Sequence, residues 1–177
     1  MGRDARSQDN RHDSEDAVDR IIAQWHRERP ELDVSGKGIT GRITRLRNLI
    51  SDRFDADAFK PHGLNGGDYG ILAALRRVGA PHELTPTELT RHQMVTSGGM
   101  TAMLDRLERR GWIERVPNPN DRRGVLVRLT ETGKGVVDAA MASHVETERA
   151  LVTALSAREQ EQLASLLRKL LRSLDPA

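Results

Sequence analysis

The residues best equipped for chemistry gather between positions 84 and 130 of this 177-residue chain. Arg122 and Arg123 stand side by side in Pro117-Asn118-Pro119-Asn120-Asp121-Arg122-Arg123-Gly124, a stretch dense in turn formers. From Asp105 to Arg128 there are seven arginines against four acids, and from Glu131 to Glu161 six acids against three bases. A basic block beside an acidic one suggests an oriented molecule with one side facing phosphates. Catalytic chemistry has little support. Ser97-Gly98-Gly99, with His92 nearby, is the nearest approach to a serine nucleophile, and there is no nucleophile elbow, phosphate loop or metal motif. The absence of cysteine excludes disulfides, thiolate catalysis and thiol-based peroxide sensing. The six histidines (12, 26, 62, 82, 92 and 144) show no paired metal-ligand spacing. No catalytic residue, metal or cofactor is expected, and the chain reads as a non-enzyme.

The elements that position these residues are mostly helical. Val18, Ile21, Ile22 and Trp25 share one face of a helix from about Ser14 to Arg29, which Pro30 ends. Ile43, Leu46, Leu49 and Ile50 mark a second helix from about Gly38 to Lys60. Ile71, Leu72 and Leu75 mark a third from Gly66 to Val78. Thr85-Pro86-Thr87-Glu88 combines a cap, a proline at the first helical position and a capping box. The short helix it starts ends near His92. A turn follows, then a longer helix from Thr96 or Ser97 to Arg110, with Met100, Met103, Leu104 and Leu107 inward and Gly111 as its stop. Short helix, turn and long helix make a helix-turn-helix outline, which by itself does not establish DNA binding. Trp112–Val116 and Val125–Leu129 read as strands around the arginine-bearing turn, a hairpin placed as a wing. Helices over Glu131–Leu155 and from the capping box Ser156-Ala157-Arg158-Glu159 close the chain. The last carries Leu163, Leu166, Leu167, Leu170, Leu171 and Leu174, more leucine than one small domain needs, which predicts a two-fold dimer interface.

The expected fold is therefore mainly α with a small β wing. The expected organisation is a disordered tail over 1–14, dimerisation helices over 15–62, a winged helix-turn-helix over 63–130 and further dimerisation helices over 131–174. Formal charge is only +2, and 37% of residues are apolar against 31% charged, which suits a soluble helical protein. Five aromatic residues are too few for the stacking platforms of single-strand binders. No apolar run reaches membrane-spanning length and the N-terminus has no signal-peptide core, so the cytoplasm is the expected location.

The stretch LTPTELTRHQMVTSGGMTAMLDRLERRGWIERVPNPNDRRGVLVRLT, residues 84–130, resembles the MarR (multiple antibiotic resistance regulator) family. The similarity is strongest from Met100 to Thr130, and the flanking helices match in number and placement. The QWHRERPEL stretch further resembles a subgroup with an extra N-terminal helix that responds to small anions such as urate. The resemblance implies a homodimer on a pseudo-palindromic double-stranded operator, usually acting as a repressor. It also implies a small anionic or phenolic effector that weakens DNA binding.

On that resemblance, the helix near Ser97 lies in the major groove. Gly98 and Gly99 let its backbone approach, Thr96, Ser97 and Thr101 donate hydrogen bonds, and Arg106 reaches toward the DNA backbone. The family's Asp-x-Arg pattern falls on Asp121 and Arg123. It implies that Arg123 enters the minor groove, oriented by Asp121, with Arg122 adding a phosphate contact. Where related members carry an arginine after the threonine matching Thr101, this chain has Ala102, so their operator sequence does not carry over. Of the urate set, Trp25 and Arg115 are present, while Gly70 and Met103 replace the acid and the other arginine. Asp68, two residues away, is expected to point elsewhere on its helix. Trp25 and Arg115 remain the candidate ligand residues, for an anion other than urate, with dimer core as the competing role for Trp25. The functional alternative is a winged helix serving as a protein-interaction module without specific DNA binding.

Overall fold

A computed structural model describes residues 15–93, 97–121 and 124–175, without the side chains of residues 92, 93, 97 and 98. The tail expected over 1–14, together with Thr96, Arg122 and Arg123, lies outside the described residues. The chain forms two compact units, divided between Ser51 and Asp52.

The first unit contains α1 (Ala17–Glu28) and most of α2 (Lys37–Arg53). Asp16 caps α1, accepting from the amides of Val18 (2.7 Å) and Asp19 (3.0 Å), while the Asp19 carboxylate accepts from the Asp16 amide. The Asp19 amide, with that of Val18 and the Arg42 guanidinium, holds the Asp16 carboxyl below the usual carboxylate range. Arg42 of α2 donates to both acids, at 2.8 Å to Asp16 and 2.7 Å to Asp19. The helices touch closely there: a Cβ on Gly41 would lie 3.0 Å from Val18 Cγ1. Val18 is buried, whereas Ile21, Trp25, Ile39, Ile43, Leu46 and Leu49 are exposed on the single chain.

In the second unit the expected long helix changes pitch. The α-helical turns stop at Arg53, and Phe54–Phe59 form a wider, π-helical turn, followed by a tight turn over Lys60–His62. Gly63, with φ of 70°, ends it in the left-handed conformation that glycine adopts without strain. The wider turn sets Phe54 and Phe59 against the rings of His144 (4.2 Å) and Tyr69 (4.4 Å). Then come α3 (Gly66–Arg77), β1 (Glu83–Leu84), α4 (Pro86–Gln93), α5 (Ser97–Arg109), β2 (Ile113–Pro117), β3 (Val125–Leu129), α6 (Glu131–Leu151) and α7 (Ala157–Leu174). The capping boxes at Thr85 and Ser156 form as the sequence predicts.

The strands make an antiparallel sheet in the order β1-β3-β2, with Ile113 opposite Leu129 and Arg115 opposite Val127. The two-residue β1 is absent from the sequence expectation. The core joins Ile71, Leu72 and Leu75 of α3, Leu89 of α4, Met100, Leu104 and Leu107 of α5, Ile113, Val127 and Leu129 of the sheet, and Val137 and Ala140 of α6. Among the described residues no helix is long and apolar enough to cross a membrane.

Candidate nucleic-acid interface

The inward positions of α5 recur as Met100, Leu104 and Leu107, which fixes the opposite face outward. Gly99, Thr101, Ala102, Asp105 and Arg109 are exposed on it. Ser97 and Gly98 fall in the first turn of α5, with side chains outside the described set. Gly99 and Thr101 are both exposed, on opposite flanks of that outward face.

The wing is built by the β2–β3 ladder. Its turn is held by the backbone: the Asn118 amide donates to the Gly124 carbonyl (3.0 Å) and the Gly124 amide to the Asp121 carbonyl (2.8 Å). The Asn118 side chain accepts from the Asn120 amide at 2.9 Å. A Cβ on Gly124 would come within 2.9 Å of the Asp121 carboxylate, so glycine leaves room for that acid inside the turn. The two arginines at the tip, Arg122 and Arg123, are outside the described residues, and so is the pairing expected between Asp121 and Arg123.

Arg115, Arg128 and Arg106 are tied to named acids, whereas Arg110 is held by a carbonyl and a ring. Arg115 of β2 reaches back to α5, donating to Asp105 Oδ1 at 2.5 Å and pairing with Glu108, whose other oxygen accepts the Arg115 amide. These contacts offset one of the two negative charges that Asp105 and Glu108 bring to α5. Arg128, in the middle strand, bridges Glu83 on β1 (2.5 Å) and Glu114 on β2 (3.2 Å). Arg110 donates to the Gly63 carbonyl and lies over the Trp112 ring, 4.7 Å from its centroid.

Arg106 is held from α3. Its Nη2 donates to Asp68 Oδ1 at 2.5 Å and its Nε lies 3.2 Å from both oxygens. The hydrogen bond that Arg106 donates to Asp68 raises the Arg106 pKa above its usual value. Asp68 is only 2% exposed. Asp68, expected from its helical position to point elsewhere than Gly70, points into the α3–α5 contact. An acid in the first turn of a helix whose next residues are apolar was the available signal; its partner lies 38 positions on.

The two ligand candidates fall in different units, Trp25 in the first and Arg115 in the second. Trp25 is 41% exposed, with the Lys37 ammonium 5.6 Å from its ring centroid. Within the second unit, a cleft of about 410 Å³ opens between α3 and α6, lined by Tyr69, Ala73, Arg77, Met141, His144 and Glu148 among others.

The arrangement recurs in known proteins. A family model described as the MarR family matches residues 62–124. The chain is 37% identical over 150 residues to the HTH-type transcriptional regulator PecS of Dickeya dadantii, spanning 85% of this chain and 90% of that protein. It is 35% identical over 132 residues to the multiple antibiotic resistance protein MarR of Escherichia coli, spanning 74% and 90%. A mutant MarR from Escherichia coli complexed with operator DNA superposes with a TM-score of 0.67 at 31% identity, over 79% of this chain and 99% of that one. Sco3205, a MarR family transcriptional regulator of Streptomyces coelicolor solved with DNA, gives 0.71 at 26% identity, over 82% and 95%. In its helix-turn-helix, its wing and its matched length, this chain belongs to the MarR family of winged-helix transcriptional regulators.

Proposed function

We propose that this protein is a cytoplasmic, homodimeric repressor that reads a pseudo-palindromic operator and is released by a small anionic or phenolic effector. The observation that carries the reading is the outward face of α5. It is flanked by the exposed Gly99 and Thr101, Arg115 offsets part of the charge of its two acids, and it stands in the same unit as a hairpin whose turn carries Arg122 and Arg123. A helix of this kind suits the major groove, and an arginine-tipped wing suits the negative potential of a narrow minor groove. Ser97 and Gly98 belong to its first turn, and Thr96 precedes them in the sequence. Asp121 orients Arg123, and Arg122 contacts phosphate.

Arg115 gives the effector a route to α5. An anion that captured Arg115 would leave Asp105 and Glu108 uncompensated, and bare carboxylates near phosphates repel.

Selection from a random-sequence duplex pool tests the reading. Enrichment of two inverted half-sites about one helical turn apart is expected for a two-fold dimer. A pool that stays unselected contradicts it.

A further inference from the structure

Apolar packing of Met100, Leu104 and Leu107 sets which face of α5 turns inward. Those contacts have no directional preference, so they leave the fine angle of the helix to directional ones. The Asp68–Arg106 pair is directional. The guanidinium sits fork-on over a carboxylate that is 2% exposed, and that carboxylate also accepts from Asn65 Nδ2 at 3.1 Å. Asn65 in turn caps α3 by accepting from the Asp68 amide at 2.9 Å, so the acid stands on a fixed backbone. The packing around it is close: a Cβ on Gly67 would lie 2.7 Å from Met103 Cε. A buried carboxylate that loses its cation is strongly unfavourable, so the pair favours the rotation of α5 seen here. That rotation decides which side chains Thr101 and its neighbours offer to a groove.

We infer that Asp68 and Arg106 form the register lock of the recognition helix, so that Asp68, shielded from DNA, controls sequence discrimination, and Arg106 acts through Asp68 rather than on phosphate. Both are positioning residues, and the inference rests on the DNA-binding reading above. Two roles for Arg106 make different predictions. A phosphate contact supports binding to every sequence alike, and its loss lowers the slope of log affinity against log salt by about 0.9 per contact. A register lock supports the preferred sequence only.

The test is a double-mutant cycle with full-length parent, Asp68→Asn, Arg106→Gln and the double variant. Each is titrated by fluorescence anisotropy on the duplex the parent selects from a random pool, and on a scrambled duplex of the same composition. Near-ultraviolet circular dichroism and sedimentation report fold and assembly. Each single variant is expected to lose about ten- to hundredfold affinity for the selected duplex. The double variant should lose no more than either single one, and binding to the scrambled duplex should hold at the parental level. Arg106→Lys, which keeps the charge but not the fork, should fail to restore discrimination. If Arg106→Gln does not fold, because it leaves the buried Asp68 carboxylate without its cation, Asp68→Asn carries the test alone, since the guanidinium it frees is 36% exposed. Equal weakening of Arg106→Gln on both duplexes with a shallower salt slope, or parental discrimination in both single variants, overturns the assignment. A parent that selects no duplex overturns the DNA reading, and the lock with it.

Discussion

At the scale of single residues, arginine carries most of the argument, and the partner of each arginine decides what it does. Arg115 touches two acids of α5, so its loss should cost stability as well as change the surface charge of that helix. All three side chains are partly exposed, which holds the expected loss for Arg115→Ala to roughly 1 kcal/mol in thermal or urea unfolding. Operator affinity should fall too, because Asp105 and Glu108 would face phosphates uncompensated. Unchanged affinity in that variant would remove Arg115 from the interface account. For the wing, Arg123→Ala is expected to weaken binding to the selected duplex by about 1–3 kcal/mol, measured by anisotropy, with the dimer intact. The residue types behind this chemistry were legible from sequence, but their pairings were not. Arg106 finds Asp68 across 38 positions, and Arg128 finds Glu83 across 45. Periodicity reports which face a side chain takes on its own helix, not what another helix brings to it.

At the scale of elements, local signals and tertiary packing divide the work. The capping boxes at Thr85 and Ser156 are written in four consecutive residues each, and both form. Thr85→Ala should lower stability by about 1 kcal/mol, read as a shift in denaturation midpoint. The change of pitch at Phe54–Phe59 has no such local signature. It is set by rings that meet Tyr69 and His144, which come from distant elements. The two-residue β1 is likewise too short for an alternating pattern and exists by pairing with β3. The start of α6 is set by close approach. Thr130 caps it, accepting from the Gly133 amide at 3.0 Å and donating to the Gly111 carbonyl at 2.7 Å. That brings Gly133 so near β2 that an added Cβ would lie 2.0 Å from the Trp112 carbonyl oxygen. The obstacle is backbone, which cannot swing aside. Gly133→Ala should destabilise the fold by about 1–3 kcal/mol in equilibrium unfolding. Parental stability would show that the α6–wing junction is looser than described.

At the scale of the whole molecule, the single chain leaves much apolar surface uncovered. No residue of α7 is buried, and Leu163, Leu166, Leu167, Leu170, Leu171 and Leu174 are all exposed. Spacings of three and four place them on one helical face, a pattern that ends buried in a stable protein. The leucine excess was legible from sequence; that no described residue buries it became visible only in the fold. A second copy of the chain is the proposed cover. Leu171→Glu, at a position 63% exposed in the single chain, should leave the helix content intact and shift the protein from dimer to monomer in sedimentation equilibrium. Operator affinity should fall with it, because two half-sites would no longer be engaged together.

The central claim is that a winged helix with an arginine-bearing turn reads a DNA sequence. The direct measurement is a gel-shift titration of the intact protein on its selected duplex and on a scrambled duplex, at two salt concentrations. Tight binding to the selected duplex that falls steeply with salt, with much weaker binding to the scrambled one, is the predicted result. Equal affinity for both duplexes, or binding indifferent to salt, would contradict the account and point to a protein partner for the winged helix.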